Sequence, residues 1–129
     1  MSNVLDYWAY EFTSVVSQNP KLQLANPESR LNQIARMIRA HKLTKYDIGI
    51  CAWAEHDAMA AEVVTQVYQI RLSYIREAFR ELGFSGEELE MRTQLYVCYH
   101  SWEAVMFGDN SERKLSRQQK LRLKLLTWK

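Results

Sequence analysis

From Leu95 to Phe107 the chain is apolar almost all the way round a helical projection: Leu95, Tyr96, Val97, Cys98, Tyr99, Trp102, Ala104, Val105, Met106 and Phe107. A helix of this kind has to be covered on more than one side. A chain of 129 residues has too little of itself left to wrap its last long helices, so the pattern predicts cover from a second copy. Other architectures are excluded by composition. Four glycines and two prolines are too few for a collagen-like, linker-like or turn-rich all-β chain. No apolar run approaches the roughly 18–20 residues of a membrane span. The opening residues lack a charged segment followed by an apolar one, so no signal peptide is expected. Two cysteines, Cys51 and Cys98, make no disulfide framework, and a reducing cytoplasm is the expected compartment.

Punctuation divides the chain into five or six helices. Over residues 4–18, Leu5, Trp8, Phe12, Val15 and Val16 recur at helical spacing, and Asn19-Pro20 stops the run. Asn26-Pro27-Glu28 opens a second helix to about His41, with Leu31, Ile34, Ala35 and Ile38 inward. Thr44-Lys45-Tyr46-Asp47 reads as a capping box for a third helix through Ile50 and Trp53. Asp57 caps a long helix to Leu82, whose apolar stripe is interrupted by Arg71, and Gly83 suits a left-handed C′ position. Ser85 and Glu88 read as a second capping box, with Phe84 stapled onto Leu89. The expected fold is all-α. The segments 57–82 and 86–107 are predicted to form an antiparallel hairpin that dimerises as a four-helix bundle, with Ile75, Phe79, Leu95, Tyr99, Trp102 and Met106 at the interface.

Signals for catalysis are poor, and an enzyme is not expected. Isolated glycines at 49, 83, 86 and 108 make no phosphate loop, and no zinc-hydrolase or nucleophile-elbow motif is present. Neighbouring residues on a helix point about 100° apart, so Glu55-His56-Asp57 cannot converge on one metal. His100 and Glu103 stand at i, i+3, without the further carboxylates of a di-metal bundle, and His100 reads as an interface or pocket histidine. No cofactor or metal is expected, and both cysteines read as small core residues.

What stands out is a surplus of aromatic and methionine side chains on the early helices, which suits a concave site for an apolar ligand. Trp8, Phe12, Met37, Ile38, Trp53 and Tyr68 are the candidate pocket residues. Residues 109–129 carry seven Lys/Arg against Asp109 and Glu112, a net of +5, leaving the preceding 108 residues at −3. This basic segment reads as an amphipathic helix docked through Leu115, Leu121, Leu125 and Trp128, with Leu123 and Leu126 left for a partner.

An ordered set of motifs runs through the second half: Trp53-Ala54-Glu55-His56-Asp57, Val63-Val64, Val67, Arg71-Leu72, Tyr74, Phe79, Leu82-Gly83-Phe84, Glu87-Glu88 and Glu90-Met91-Arg92. The stretch from Trp53 to Tyr99 resembles the C-terminal regulatory domain of the TetR/AcrR family of bacterial transcriptional regulators. The resemblance implies an all-α domain, a homodimer on long helices and a ligand cavity among the earlier ones. It further implies a small-molecule effector whose binding alters the operator affinity of N-terminal helix-turn-helix domains. Those domains have no counterpart in this chain, so DNA would be reached only through them. Ala58 stands where proline is usual, and Tyr68 where an acidic residue is common, which removes an i, i+3 partner for Arg71. The expected function is therefore effector sensing and dimerisation, without membrane association. The competing reading is a stand-alone dimeric helical adaptor that binds another protein through the basic helix.

Overall fold

The computed structural model describes residues 2–108 and 111–129, without the side chains of residues 2, 3 and 17; Asp109, counted in the C-terminal charge, lies outside this range. Among the described residues the fold is all-helical. Seven helices follow one another: α1 (Ser2–Phe12), α2 (Pro20–Leu24), α3 (Pro27–His41), α4 (Asp47–Ala54), α5 (Ala58–Glu81), α6 (Gly86–Phe107) and α7 (Glu112–Thr127). A π-helical turn, Thr13–Ser17, prolongs α1. No helix among the described residues is long and apolar enough to cross a membrane.

Local chemistry accounts for most boundaries. Asn26 accepts from the Ser29 N–H (2.8 Å) with Pro27 at the first helical position, and Asp57 accepts from the Ala60 N–H (3.1 Å). Ser111 caps α7 through the Lys114 N–H (3.2 Å). The helix α2 was not anticipated: Asn19 caps it through the Lys21 N–H (3.0 Å), so Asn19-Pro20 both ends one helix and starts another. At the α5–α6 corner Gly83, at φ 101°, donates to the Arg80 carbonyl (2.9 Å) and Phe84 to the Phe79 carbonyl (3.3 Å), which is the Schellman pattern. Its hydrophobic contact is the edge-on pair of Phe79 and Phe84, 6.2 Å between centroids.

Neither expected capping box forms. Asp47 is the first residue of α4 and is fully buried, and Ser85 makes no side-chain cap bond. Glu88 pairs with Arg92 instead (2.8 Å).

The helices α5 and α6 pack as the antiparallel hairpin expected, with α3, α4 and α1 on the other flanks of α5. The main core joins Phe12, Val16, Leu22, Leu31, Ile34, Ile75, Phe79, Leu89 and Tyr96; a second, smaller one joins Leu5, Trp8, Ile50, Ala60 and Val67. Tyr96 spans the main core and donates its hydroxyl to the Leu31 carbonyl (2.7 Å). Arg76 grips Glu90 through two bonds (2.7 and 3.1 Å), and Arg92 reaches the Leu126 carbonyl at the end of α7 (2.6 Å).

The docked face of α7 differs from the expected one. Leu123 is buried and Leu115 and Leu126 are half-buried, whereas Leu121, Leu125 and Trp128 are exposed. The inward arc includes two polar residues, Gln119 and Arg122, which hydropathy places outside. Gln119 is held by Arg39 (2.5 Å) and by the Asn32 carbonyl (3.1 Å), so it is satisfied in the interior.

Two glycine replacements should act with opposite sign. Gly83→Ala places a Cβ at positive φ and should cost about 1–2 kcal/mol. Gly49→Ala, on an exposed turn of α4 with open space around it, should stabilise by roughly 0.5–1 kcal/mol. Urea unfolding of both variants reads this as midpoint shifts in opposite directions at unchanged slope.

Candidate functional site

Three of the candidate pocket residues converge, but on a charge belonging to the chain itself. The guanidinium of Arg71 lies 5.4 Å from the Trp8 ring, 5.6 Å from Phe12 and 5.1 Å from Tyr68. It meets Asp47 in a two-pronged ion pair (2.7 and 3.2 Å), and both residues are buried. Asp47 also accepts from the Trp8 indole N–H (2.8 Å) and the Tyr68 hydroxyl (3.4 Å). The Tyr68 phenol is pushed well above its ordinary pKa by burial and by the Asp47 charge, so it remains a donor. The Cys51 thiol lies 3.9 Å from that hydroxyl. The aromatic surplus of α1 and α5 thus surrounds an internal salt bridge instead of an open pocket.

The other candidates are dispersed. Trp53 donates its indole N–H to Asp57 (3.2 Å) and belongs to the helix junction. Met37 packs half-buried against the main core. Ile38, with Phe12, lines a cavity of about 20 Å³ among α1, α3, α5 and α6, room for a single water. Ile38 also borders a larger cleft of about 310 Å³ between the α3–α4 corner, the C-terminal half of α6 and the start of α7. Ile38, Thr44 and His100 line both spaces.

His100, only 4% exposed, is a buried polar residue at this wall. Its Nδ1 lies 2.7 Å from the Tyr96 carbonyl, which can only accept, so Nδ1 carries the proton. Burial first, then the charge of Arg122, pulls the ring's pKa down to about 3, and Arg39 adds a smaller push the same way. The ring is therefore neutral at neutral pH, and its Nε2 is an acceptor with no partner among the described residues. Tyr96 tilts against one side of the ring (centroids 4.1 Å apart) and Tyr99 meets it edge-on (5.5 Å). Glu103 does not join His100. It pairs with Arg122 of α7 (3.2 Å), whose guanidinium lies over the Tyr99 ring at 4.3 Å.

The residues expected at a dimer interface fall into two groups. Ile75 and Phe79 are 2% and 0% exposed, filled in by α3 and α6 of the same chain, so they offer no surface to a second copy. Leu95, Trp102 and Met106 lie exposed on α6, with Tyr99 half-buried behind them. Cys98, read from sequence as a core residue, is exposed on the same side. Met91, Leu95, Cys98, Trp102 and Val105 follow at helical spacing, a stripe opposite the buried edge of α6. No group of three His, Cys, Asp or Glu among the described residues could hold a metal ion. No family model, curated protein or solved structure matches the chain.

Sequence reasoning missed Asp47, Arg71 as its partner, and the free nitrogen of His100. The signal available for the first two was a lone arginine in an apolar stripe, which must find a carboxylate if buried.

Two outcomes are expected. Asp47→Asn or Arg71→Met alone should each cost roughly 3–5 kcal/mol, because the surviving partner is buried without its counterpart. The combined Asp47→Leu, Arg71→Met chain should lose much less than the sum in urea titrations. Separately, the depressed folded-state pKa of His100 means that the unfolded chain binds the proton more readily. Its contribution to stability is therefore complete above about pH 6.5 and falls as the pH drops toward the folded-state value of about 3. Thermal melts at pH 7 and pH 5 should show a smaller acid loss for His100→Leu than for the parent.

Proposed function

We propose that the chain is the effector-binding and dimerisation domain of a TetR-like transcriptional regulator, sensing a small apolar molecule. The observation that carries the reading is the uncovered apolar side of α6, with Leu95, Trp102 and Met106 exposed and Leu121, Leu125 and Trp128 exposed on the neighbouring α7. Exposed large apolar patches of this kind mark association sites. A second copy packing α6 and α7 against the same helices would make a four-helix interface with two-fold symmetry. The hairpin used would be α6–α7, since the far side of α5 is occupied by α3, α4 and α1.

The sensing half of the reading rests on the cleft beside these helices. The cleft is bounded by the α3–α4 corner on one side and by α6 and α7 on the other. A ligand that fits one spacing of these walls better than another shifts the population between them. Because the moving walls carry the proposed dimer surface, that shift would change the separation of attached DNA-binding domains, whose half-sites lie about one helical turn apart. A domain of this kind performs no chemistry.

A helical adaptor is the second reading, favoured by one feature. Arg113, Lys114, Arg117, Lys120 and Lys124 are exposed on α7 and enter no ion pair among the described residues, a surface suited to an acidic partner.

Sedimentation velocity tests the dimer on which both readings rest. The parent chain should sediment as a dimer, and Trp102→Asp or Leu121→Asp should give folded monomer. A parent that is monomeric at tens of micromolar would overturn both readings; a dimer indifferent to both substitutions would place the interface elsewhere.

A further inference from the structure

We infer that the cleft between the α3–α4 corner, α6 and α7 takes an apolar molecule carrying a neutral hydroxyl, which donates its hydrogen bond to Nε2 of His100. The inference rests on the effector-domain reading and specifies the chemistry of its ligand.

Three observations carry it. First, His100 is 4% exposed, and its Nε2 has no partner among the described residues. Native interiors rarely leave a polar atom in that state, and an exception of this kind calls for an occupant. Second, the ring is oriented by its other nitrogen. With Nδ1 tied to the Tyr96 carbonyl of its own helix, Nε2 points away from that turn of α6, and the spaces that His100 lines are the cleft and the small inner cavity. Third, the cleft has suitable size and walls. At about 310 Å³ it has ample room for one aromatic ring, since an apolar cavity near 150 Å³ already holds benzene. Ile38, Ile48, Val105 and Leu115 supply apolar wall.

The charges select among donors. The two carboxylates of the lining, Glu103 and Glu112, are already held by Arg122 and Arg39. Lys42 and Lys45 line the same cleft and meet no carboxylate at ion-pair distance among the described residues. An ammonium donor would meet uncompensated positive charge there, whereas a hydroxyl would not. The neutral imidazole of His100 is the complementary acceptor.

Phenol and toluene make the test, since they share ring and size and differ in the donor. The full 129-residue chain, labelled with 15N-histidine, is titrated with each and followed by NMR and by calorimetry. Phenol should bind about three- to tenfold more tightly than toluene, the margin of one hydrogen bond. It should also move the Nε2 resonance of His100 upfield from the position of a bare lone pair, and toluene should not. In His100→Leu the two ligands should bind alike; should that variant fail to fold, the resonance of the parent chain decides. Equal binding of both ligands with an unmoved Nε2 would overturn the hydroxyl inference while leaving an apolar sensor in place. An Nε2 already hydrogen-bonded before ligand is added, and unchanged by phenol, would assign the acceptor to a resident water and overturn it equally. Binding of neither ligand up to its solubility limit would remove both the inference and the sensing reading.

Discussion

Asp47 and Arg71 make the contact on which the first half of the molecule depends. Asp47 receives donors from three places in the chain: the indole of Trp8 on α1, and the guanidinium of Arg71 and the hydroxyl of Tyr68 on α5. A helix of eight residues such as α4 has little stability by itself. Here its first residue is tied to two longer elements, and the tie fixes both its position and its rotation. The same requirement places the aromatics. A buried guanidinium needs its charge answered and its faces covered, and Trp8, Phe12 and Tyr68 supply the cover. Buried pairs of this kind contribute little net stability compared with a well-packed apolar core, but a shifted α4 would strand a charge. The pair thus acts mainly to disfavour alternative packings of α1, α4 and α5.

The second half is held differently. Leu123 is the single fully buried apolar side chain of α7 among the described residues. Beside the half-buried Leu126, the helix is fastened by polar contacts: Gln119 with Arg39 and Asn32, Arg122 with Glu103, Arg39 with Glu112, and the Leu126 carbonyl with Arg92. These fastenings are polar and range from exposed, as at Glu112, to buried, as at Gln119, whereas the core beneath α5 and α6 is apolar. Displacement of α7 would break these contacts and withdraw Leu123 while leaving the α5–α6 pairing in place. The cleft lies where such a displacement would be felt, with Glu112 and Leu115 in its wall.

Backbone punctuation was legible in the sequence because each signal is complete within a few residues. Asn26-Pro27, Asp57 and Gly83 act on their own immediate neighbours, and the structure uses them as expected. What was not legible depends on pairing across the chain. Nothing local says that Asp47 meets Arg71, 24 residues on, and the three-residue spacing from Thr44 to Asp47 suits a cap in its place. Facing was the other difficulty. With apolar residues on every side of α6, periodicity could not tell which side would meet α5, and Ile75 and Phe79 were assigned outward although the chain covers them itself. On α7 the inward arc holds Gln119 and Arg122, whose partners compensate their burial, so the more apolar Leu121 and Leu125 were taken for the docked side.

The arrangement of α6 joins the two proposed roles physically. His100 and Glu103 lie on its buried edge, while Trp102 and Met106, within the same two turns, lie on its exposed side. At about 100° per residue, Trp102 stands some 200° round from His100, so the two sides are close to opposite across one rigid rod. A rod cannot turn its inner edge without turning its outer one. An occupant that pressed on His100, or that competed with Arg122 for Glu103, would have to be accommodated by rotation or translation of α6 or by release of α7. Movement of α6 re-aims Leu95, Trp102 and Met106, and release of α7 re-aims Leu121 and Leu125. The rigidity of this helix, polar at His100 and Glu103 on its buried edge and apolar on its exposed side, is thus the reason that a change on one side cannot stay there.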